Sequence, residues 1–526
     1  MKIKGIENIS VKVITALLAV LMLPIVVLSF PHRYENILMT IEAVYLFKDN
    51  PIVVFLLTCA FMAVVLGVTR LLCLIPEKTG RWLIPAAGAA VSLAIALYWV
   101  YSSKAAPQAD QASAYWAAVM QYQSALGESS EFLTYIQTYQ QQLGLVQLYM
   151  LLFKITGELS FFPLLVLNGL CVPVMLTTLY AIVYKISKRY DCAVAALLLG
   201  LSCVPVYLYT SFAYGEIIST TFSMLAVLLA MTILEKYDRR FKDMKKNDKA
   251  VFVLEHAGCF ACMFIAIQLR MNSLIVVIAI AAVTAVKAIS KRRPAGLVLI
   301  ACVAAGAVLP GMISKAAFSE QLAGAEGMPA TLWVAMGMQE KDGLCGWNNY
   351  YNIATFYECG SDAELASERA KADIADRLEY FKNNPGQAVS FYMRKFESQW
   401  NCPLFQSVQM NSYIEGKPTN IAHGILYFED IYYYVRDFAN VHHSAVLLCA
   451  LIGLIAGLYM KRRGIECYIL SAAILGGMLF SLIWEAKARY CFPYYVFMLS
   501  LAAVGLCCVG DGLGKLFVNK KAKAGK

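Results

Sequence analysis

The sequence predicts an all-α polytopic membrane protein, with about 12–13 transmembrane helices and a mostly helical external loop domain. Three observations carry this expectation. The 526 residues are 60% hydrophobic, only 15% are charged, and the mean hydropathy is +0.59. A soluble globular chain is about half apolar and a quarter charged. The apolar residues also fall in long runs, and the basic residues collect between them. Soluble enzymes and disordered chains are excluded on composition alone.

Twelve apolar runs are long enough to span. They cover residues 11–30, 52–75, 82–100, 161–186, 192–212, 217–234, 251–269, 273–289, 295–313, 445–460, 467–484 and 492–509. A membrane helix needs about 20 apolar residues, so twelve would use about 240. The first run is too long for a signal-peptide core and lacks a small-residue cleavage site, so it is expected to stay as a span. Residues 143–155 are apolar but short. They are expected to form a helix that does not complete a crossing, which is allowed where protein covers its ends.

The net charge is +10. The positive residues sit in short loops rather than in one stripe, so nucleic acid is not an expected partner. With the N-terminus inside, the loops at residues 78–81, 185–189, 236–249, 287–293 and 461–463 all become cytoplasmic, and all are basic. A multi-pass cell-membrane protein with both termini cytoplasmic is therefore expected. Four parts result: residues 1–81 with two transmembrane helices; residues 82–314, a transmembrane core with a first external loop at 101–142; residues 315–443, an external loop domain; and residues 444–526, the last transmembrane helices and a basic tail. Within the external domain Ser361 and Asp362 can cap a helix over 363–382, which Asn383–Gly386 ends. A second helix over 388–400 carries Phe391, Tyr392, Phe396 and Trp400, residues suited to the membrane interface.

Ten of the sixteen cysteines fall in apolar runs and read as packing residues. Cys259 and Cys262 form a C-x-x-C pair without a second pair, a weak metal signal. Cys345 and Cys359 lie in a polar loop, where a disulfide and two free thiols are both open. His256, His442 and His443 lack an H-E-x-x-H context, so no metal site is expected from them.

Ionisable residues in or beside membrane segments are functional candidates. Six collect on the expected external side: Asp110, Glu216, Arg270, Glu485, Lys487 and Arg489. The three cations run against the positive-inside trend. Two cations from separate turns can hold a phosphate at the membrane surface. A nearby carboxylate can accept a proton from an attacking hydroxyl. Plainer uses stay open. Asp110 can cap the following helix and Glu216 can serve as a first-turn acid. Arg270 can snorkel, and Lys487 and Arg489 can pair with Glu485 or anchor to lipid.

In order along the chain, these residues resemble the bacterial GT-C glycosyltransferases, the group that includes protein O-mannosyltransferases and lipid A aminoarabinose transferases. The run with Pro107, Asp110 and Tyr115 is similar to the acidic motif of that family's first external loop. Tyr139-Gln-Gln-Gln142-Leu-Gly144 is similar to the start of its next helix, with Gln140 in place of proline. Tyr214-Gly-Glu216 resembles an acidic turn, and Glu485-Ala-Lys487-Ala-Arg489-Tyr490, followed by Pro493, resembles the run that opens the last span. The resemblance begins near Trp82, so the first two helices precede it.

The resemblance implies a GT-C-like fold and an inverting transfer of sugar from a polyprenyl-phosphate donor to an acceptor hydroxyl, on a glycan, lipid or protein, at the external face. Asp110 would be the base, with Glu216 also in the catalytic set. Arg270, Lys487 and Arg489 would hold the phosphate, and Glu485, Tyr139 and Gln142 would complete the substrate site. No cofactor is certain, and a divalent metal stays open. One carboxylate in place of the family's D-x-D pair argues against a divalent metal. Alternatives are a polymerase or ligase for lipid-linked polysaccharide, and a flippase or secondary transporter.

Overall fold

The computed structural model describes residues 5–37, 42–237, 244–292, 296–459 and 464–524, with side chains as far as Leu513. Several residues of the expected basic loops (Arg239, Arg240, Lys242, Arg293, Lys461, Arg462 and Arg463) and the side chains of the tail lysines lie outside it. The chain is an all-α polytopic membrane protein. Among the described residues eleven helices are long and apolar enough to cross a membrane. The expected span at residues 192–212 is a bent pair, Tyr190–Leu201 with Val204–Ser211, turning by 57°. Counting the pair as one crossing gives twelve.

The bend has a local cause. Pro205 lies in the first turn of the second half, where it cannot continue the ladder of the first. Freed backbone groups must find partners inside the protein. Tyr207 donates to Leu201 O at 3.1 Å, and the Asn168 amide donates to Thr210 O and Phe212 O at 3.2 and 3.0 Å. The short segment Leu143–Thr156 is a helix of 14 residues, closed at Gly157 in the left-handed conformation. Gly144 at its start lies so close to Gln268 that a Cβ would sit 1.7 Å from the Gln268 carbonyl oxygen.

Alternate crossings sort the connections into two ends. At one end Lys185 pairs with Glu235 at 2.7 Å, Arg189 with Asp511 at 2.6 Å, and Lys287 with Glu466 at 2.8 Å. At the other end lie residues 29–37 and 42–50 between the first two helices, the segment 104–161, the turns at 212–215, 270 and 484–487, and residues 318–429. Residues 32–48 include the hairpin His32–Glu35 with Tyr45–Lys48. Tyr34 N donates to Asn401 O at 2.8 Å, and His32 Nδ1 lies 2.6 Å from Glu397. The first two helices thus dock onto the rest of the molecule through their connection as well as their sides.

The large polar region is mostly helical. Asp362 caps Ala363–Asn383 by accepting from Leu365 N at 2.9 Å, and Pro385 opens Pro385–Trp400. Two expectations need correction. Phe391, Phe396 and Trp400 do not face an interface; they are buried, and Trp400 donates its indole N–H to Ser481 Oγ at 3.0 Å. An aromatic helix face looks alike whether it meets lipid or another helix. The span expected from residue 445 starts earlier, in the continuous helix Asp430–Tyr459. Cys345 and Cys359 are both free thiols.

The helices Asp430–Tyr459 and Ala488–Ala524 approach through a glycine pair. A Cβ on Gly453 would lie 2.0 Å from Leu501 O, and one on Gly505 would lie 1.9 Å from Cys449 O. Small residues permit such backbone contact where lipid gives no hydrophobic drive for helices to associate. Gly453→Ala should therefore destabilise by about 1–3 kcal/mol. Gly67→Ala, where a Cβ meets nothing within 4 Å, should not. Thermal unfolding of the two detergent-purified variants makes the comparison; equal midpoints would remove the close-contact account.

Candidate functional site

A cavity of about 500 Å³ opens between the non-basic connections. Asp110, Tyr139, Gln142, Arg270, Glu485, Lys487 and Arg489 all line it. Glu216 lines a smaller recess beneath, whose wall also includes Arg270, Arg489 and Tyr490. All eight candidate residues, spread over 380 positions of the chain (110 to 489), are thus brought to one place.

Asp110 is the first residue of the helix Asp110–Tyr122 and makes no capping bond. Its carboxylate instead accepts from Tyr214 Oη at 3.3 Å, and its backbone carbonyl accepts from Tyr135 Oη at 3.2 Å. The preceding Ala109 has φ 46° and ψ −128°, a conformation that an alanine rarely takes. Such strain costs about 1–3 kcal/mol and persists only where surroundings impose it. They do so here. Gln108 donates to Gln409 O at 2.7 Å and Gln111 to Met410 O at 3.0 Å, while Gln111 Oε1 accepts from Ala213 N at 2.8 Å. These bonds tie both sides of Asp110 to the loop at 401–412 and to the turn that carries Tyr214.

Burial pushes the Tyr139 and Tyr214 phenols upward, and the Asp110 charge adds to this. Both remain protonated, so Tyr214 is a donor to Asp110. Arg270 lies 4.6 Å above the Tyr214 ring, and one of its guanidinium nitrogens is 3.2 Å from Glu216. Burial is the largest effect and opposes the Arg270 charge, but Glu216 together with Tyr214 and Tyr490 raises the group above its ordinary value.

The turn between Ile465–Ile483 and the last long helix delivers the other three residues. Trp484 stacks on Trp333 with centroids 5.8 Å apart and planes 8° apart. Ala486 N donates to Gly346 O at 2.7 Å. Gln399 accepts from Lys487 N at 3.4 Å, and Gln406 from Arg489 N at 3.2 Å. The Lys487 ammonium sits between Glu42 at 2.8 Å and Glu485 at 3.3 Å. Burial pushes Glu42 up, yet Lys487 and Arg489 together hold it below the usual carboxylate range. Burial raises Glu485, and the Glu42 charge adds to the rise. The Arg489 guanidinium lies 5.4 Å over Tyr214 and meets no carboxylate within 4 Å among the described residues; its Nε is buried without a partner.

A divalent ion needs several oxygen ligands at one point. Asp110 brings one carboxylate, while Glu42 and Glu485 are tied to Lys487. Among the described residues the one group with metal-ligating spacing, Asp191, Cys192 and Cys507, is at the opposite end.

Two residues escaped the sequence. Glu42 lies in the short connection between the first two spans. Its signal was the charge density there: Arg33, Glu35, Glu42, Lys48 and Asp49 within 17 residues. Lys395 is fully buried and donates to Gly337 O at 2.5 Å and Leu482 O at 2.9 Å. It fastens the ends of Thr331–Gly337 and Ile469–Ile483, and so the start of the Trp484–Arg489 turn. An alternating helix face with one lysine gave no such signal.

No protein-family model matches the chain, and no curated protein matches it.

Burial pushes the Lys395 ammonium from its ordinary value down to about 7. The neutral amine keeps two N–H donors for its two carbonyls. Between pH 7 and 10 the unfolded chain then binds more protons than the folded one, so this group makes stability rise with pH. Lys395→Met should flatten that rise, by roughly 2–4 °C in midpoint over the window. Parallel slopes for parent and variant, measured in detergent from pH 6.5 to 10, would show that Lys395 is charged throughout.

Proposed function

We propose that the protein is a GT-C-like membrane glycosyltransferase that moves a sugar from a polyprenyl-phosphate donor to an acceptor hydroxyl at the external face of the cell membrane. The observation that carries this reading is the convergence of one open carboxylate, Asp110, with two arginines at a single cavity at the membrane-span ends. The end opposite the basic loops is the external one by the positive-inside trend, which puts both termini in the cytoplasm.

The parts divide the work as follows. Asp110 accepts the proton of the acceptor hydroxyl, and Tyr214 orients the carboxylate. The hydroxyl oxygen attacks the anomeric carbon as the bond to the phosphate oxygen breaks, so configuration inverts. The departing phosphate keeps the bonding electrons, and Arg489 with Arg270 stabilises the charge that develops on it. Arg489 is the stronger phosphate ligand, because it has no carboxylate partner. Glu216 balances Arg270 beneath the cavity. Tyr139 and Gln142 stand on the acceptor side, next to Asp110. Every step is completed by residues of this chain.

A transport reading draws on the bent pair, since transporters bind ions at broken helices. Here the Leu201 carbonyl at the bend accepts from Tyr207, and Asn168 covers the Thr210 carbonyl where the second half ends. The transferase reading explains the cavity better, and a polymerase or ligase differs from it only in the acceptor.

Membranes carrying the parent protein should transfer sugar from a polyprenyl-phosphate donor. Asp110→Asn should lower kcat by about 100- to 10,000-fold with little change in donor KM. Arg489→Met should lower kcat/KM by about 100-fold or more. Transfer at the parent rate by Asp110→Asn would remove Asp110 as the base, and full activity of Arg489→Met would remove the phosphate assignment.

A further inference from the structure

The first two helices precede everything on which the transferase reading was built, yet their connection reaches the cavity. Asn36 Nδ2 donates to Ala43 O at 2.7 Å, which closes the chain around residue 42. Arg33 bonds Asp49 at 3.0 Å and Glu35 at 2.5 Å, Tyr432 donates to Glu35 at 2.9 Å, and Asn440 donates to Asp49 at 3.0 Å. The connection is therefore fixed to Asp430–Tyr459, and Glu42 has a defined place. Its Oε2 atom is closed off from solvent, 2.8 Å from Lys487 Nζ.

This arrangement has a consequence for charge. Lys487 has two carboxylates, while Arg489, two residues on, has none within 4 Å among the described residues. An ammonium held between two carboxylates has little attraction left for a third anion. We propose that Glu42 is a positioning residue that masks Lys487, so that an anionic phosphate is directed to Arg489 and Arg270 and away from Lys487. The first two helices then serve the site by presenting this carboxylate. The inference rests on the transferase reading for the phosphate, and it corrects the expectation that Lys487 itself holds that group. Glu485 does not make Glu42 redundant. Of the two acids, Glu42 lies closer to Lys487, at 2.8 Å against 3.3 Å, and Lys487 with Arg489 holds it below the usual carboxylate range.

The test is a double-mutant cycle on the full-length protein in phosphatidylcholine nanodiscs, with farnesyl monophosphate as the probe and its Kd read by calorimetry. Glu42→Gln, which keeps the shape and removes the charge, should tighten binding about five- to tenfold. Glu42→Asp, which withdraws the carboxylate by one methylene, should tighten it about two- to threefold. Lys487→Met, which leaves Glu42 and Glu485 without their close cation, should weaken binding, and Glu42→Gln should tighten it less in that background than in the parent. A purely structural Glu42 would weaken binding, and equally so with or without Lys487. Either that pattern or an unchanged Kd in Glu42→Gln overturns the proposal. If Glu42→Gln does not fold, the same comparison is made with Glu42→Asp, where an unchanged or weakened Kd overturns it. The phosphate reading fails separately: Arg489→Met would then bind the probe as tightly as the parent does.

Discussion

A charge taken out of water must be paired or given a ligand, and the site is organised around that constraint. Glu42, Glu216, Arg270, Glu485, Lys487 and Arg489 gather at the span ends of a bundle that is otherwise apolar. Five of them form close ion pairs, Glu216 with Arg270 and Glu42 and Glu485 about Lys487, which leaves one negative charge in excess. Arg489 is left over. Its guanidinium touches aromatic faces and the Met410 sulfur, 3.7 Å away, contacts that can yield to an anion, and it acts on Glu42 only from beyond 4 Å. The remaining acid, Asp110, is held by Tyr214 rather than by a cation, so it is open to a proton.

Much of this arrangement was legible in the sequence, for physical reasons. Long apolar runs admit few structures in lipid, so their number and order could be read directly. The position of the basic loops set the parity of the crossings, and parity brought Asp110, Glu216, Arg270 and Arg489 to one end without knowledge of their contacts. Other features were not legible. The bend at Pro205 sits inside an unbroken apolar run, and hydropathy does not register direction. The face with Phe391, Phe396 and Trp400 has the composition of an interface and the position of a core. Glu42 and Lys395 act through contacts far along the chain, at Lys487 and across Gly337 and Leu482. No local pattern encodes such contacts.

The irregular segment at 401–412 shows how function can depend on structure that sequence patterns describe poorly. It is buried throughout, although it has little regular structure. Buried backbone groups outside helices need partners. Here they are supplied by Gln108 and Gln111, which accompany Asp110, by Tyr209, which donates to Phe405 O, and by Asn411, which donates to Ser407 O. The same bonds that satisfy the loop also fix the acid and the turn at Tyr214. Loop stability and site geometry are therefore one set of interactions.

The polar atoms that stay without partners point the same way. Gln142 Oε1, Arg489 Nε and Glu216 Oε2 are buried and make no hydrogen bond, while Glu216 Oε1 meets Arg270 at 3.2 Å. Leaving a buried polar group unsatisfied costs about 1–3 kcal/mol, more when it is charged. A protein made only for stability would replace such residues or pair them, as it has paired Lys287 with Glu466 at the other end. Other unsatisfied atoms, such as Thr58 Oγ1 and Tyr180 Oη, are scattered through the molecule, but these line one cavity and the recess beneath it. A polar ligand that supplies the missing bonds recovers that cost on binding. The free molecule thus has a cavity whose walls are held by fully bonded loops and whose surface is incomplete. That combination favours a ligand bearing both hydroxyls and a negative charge, as a sugar joined to a phosphate does.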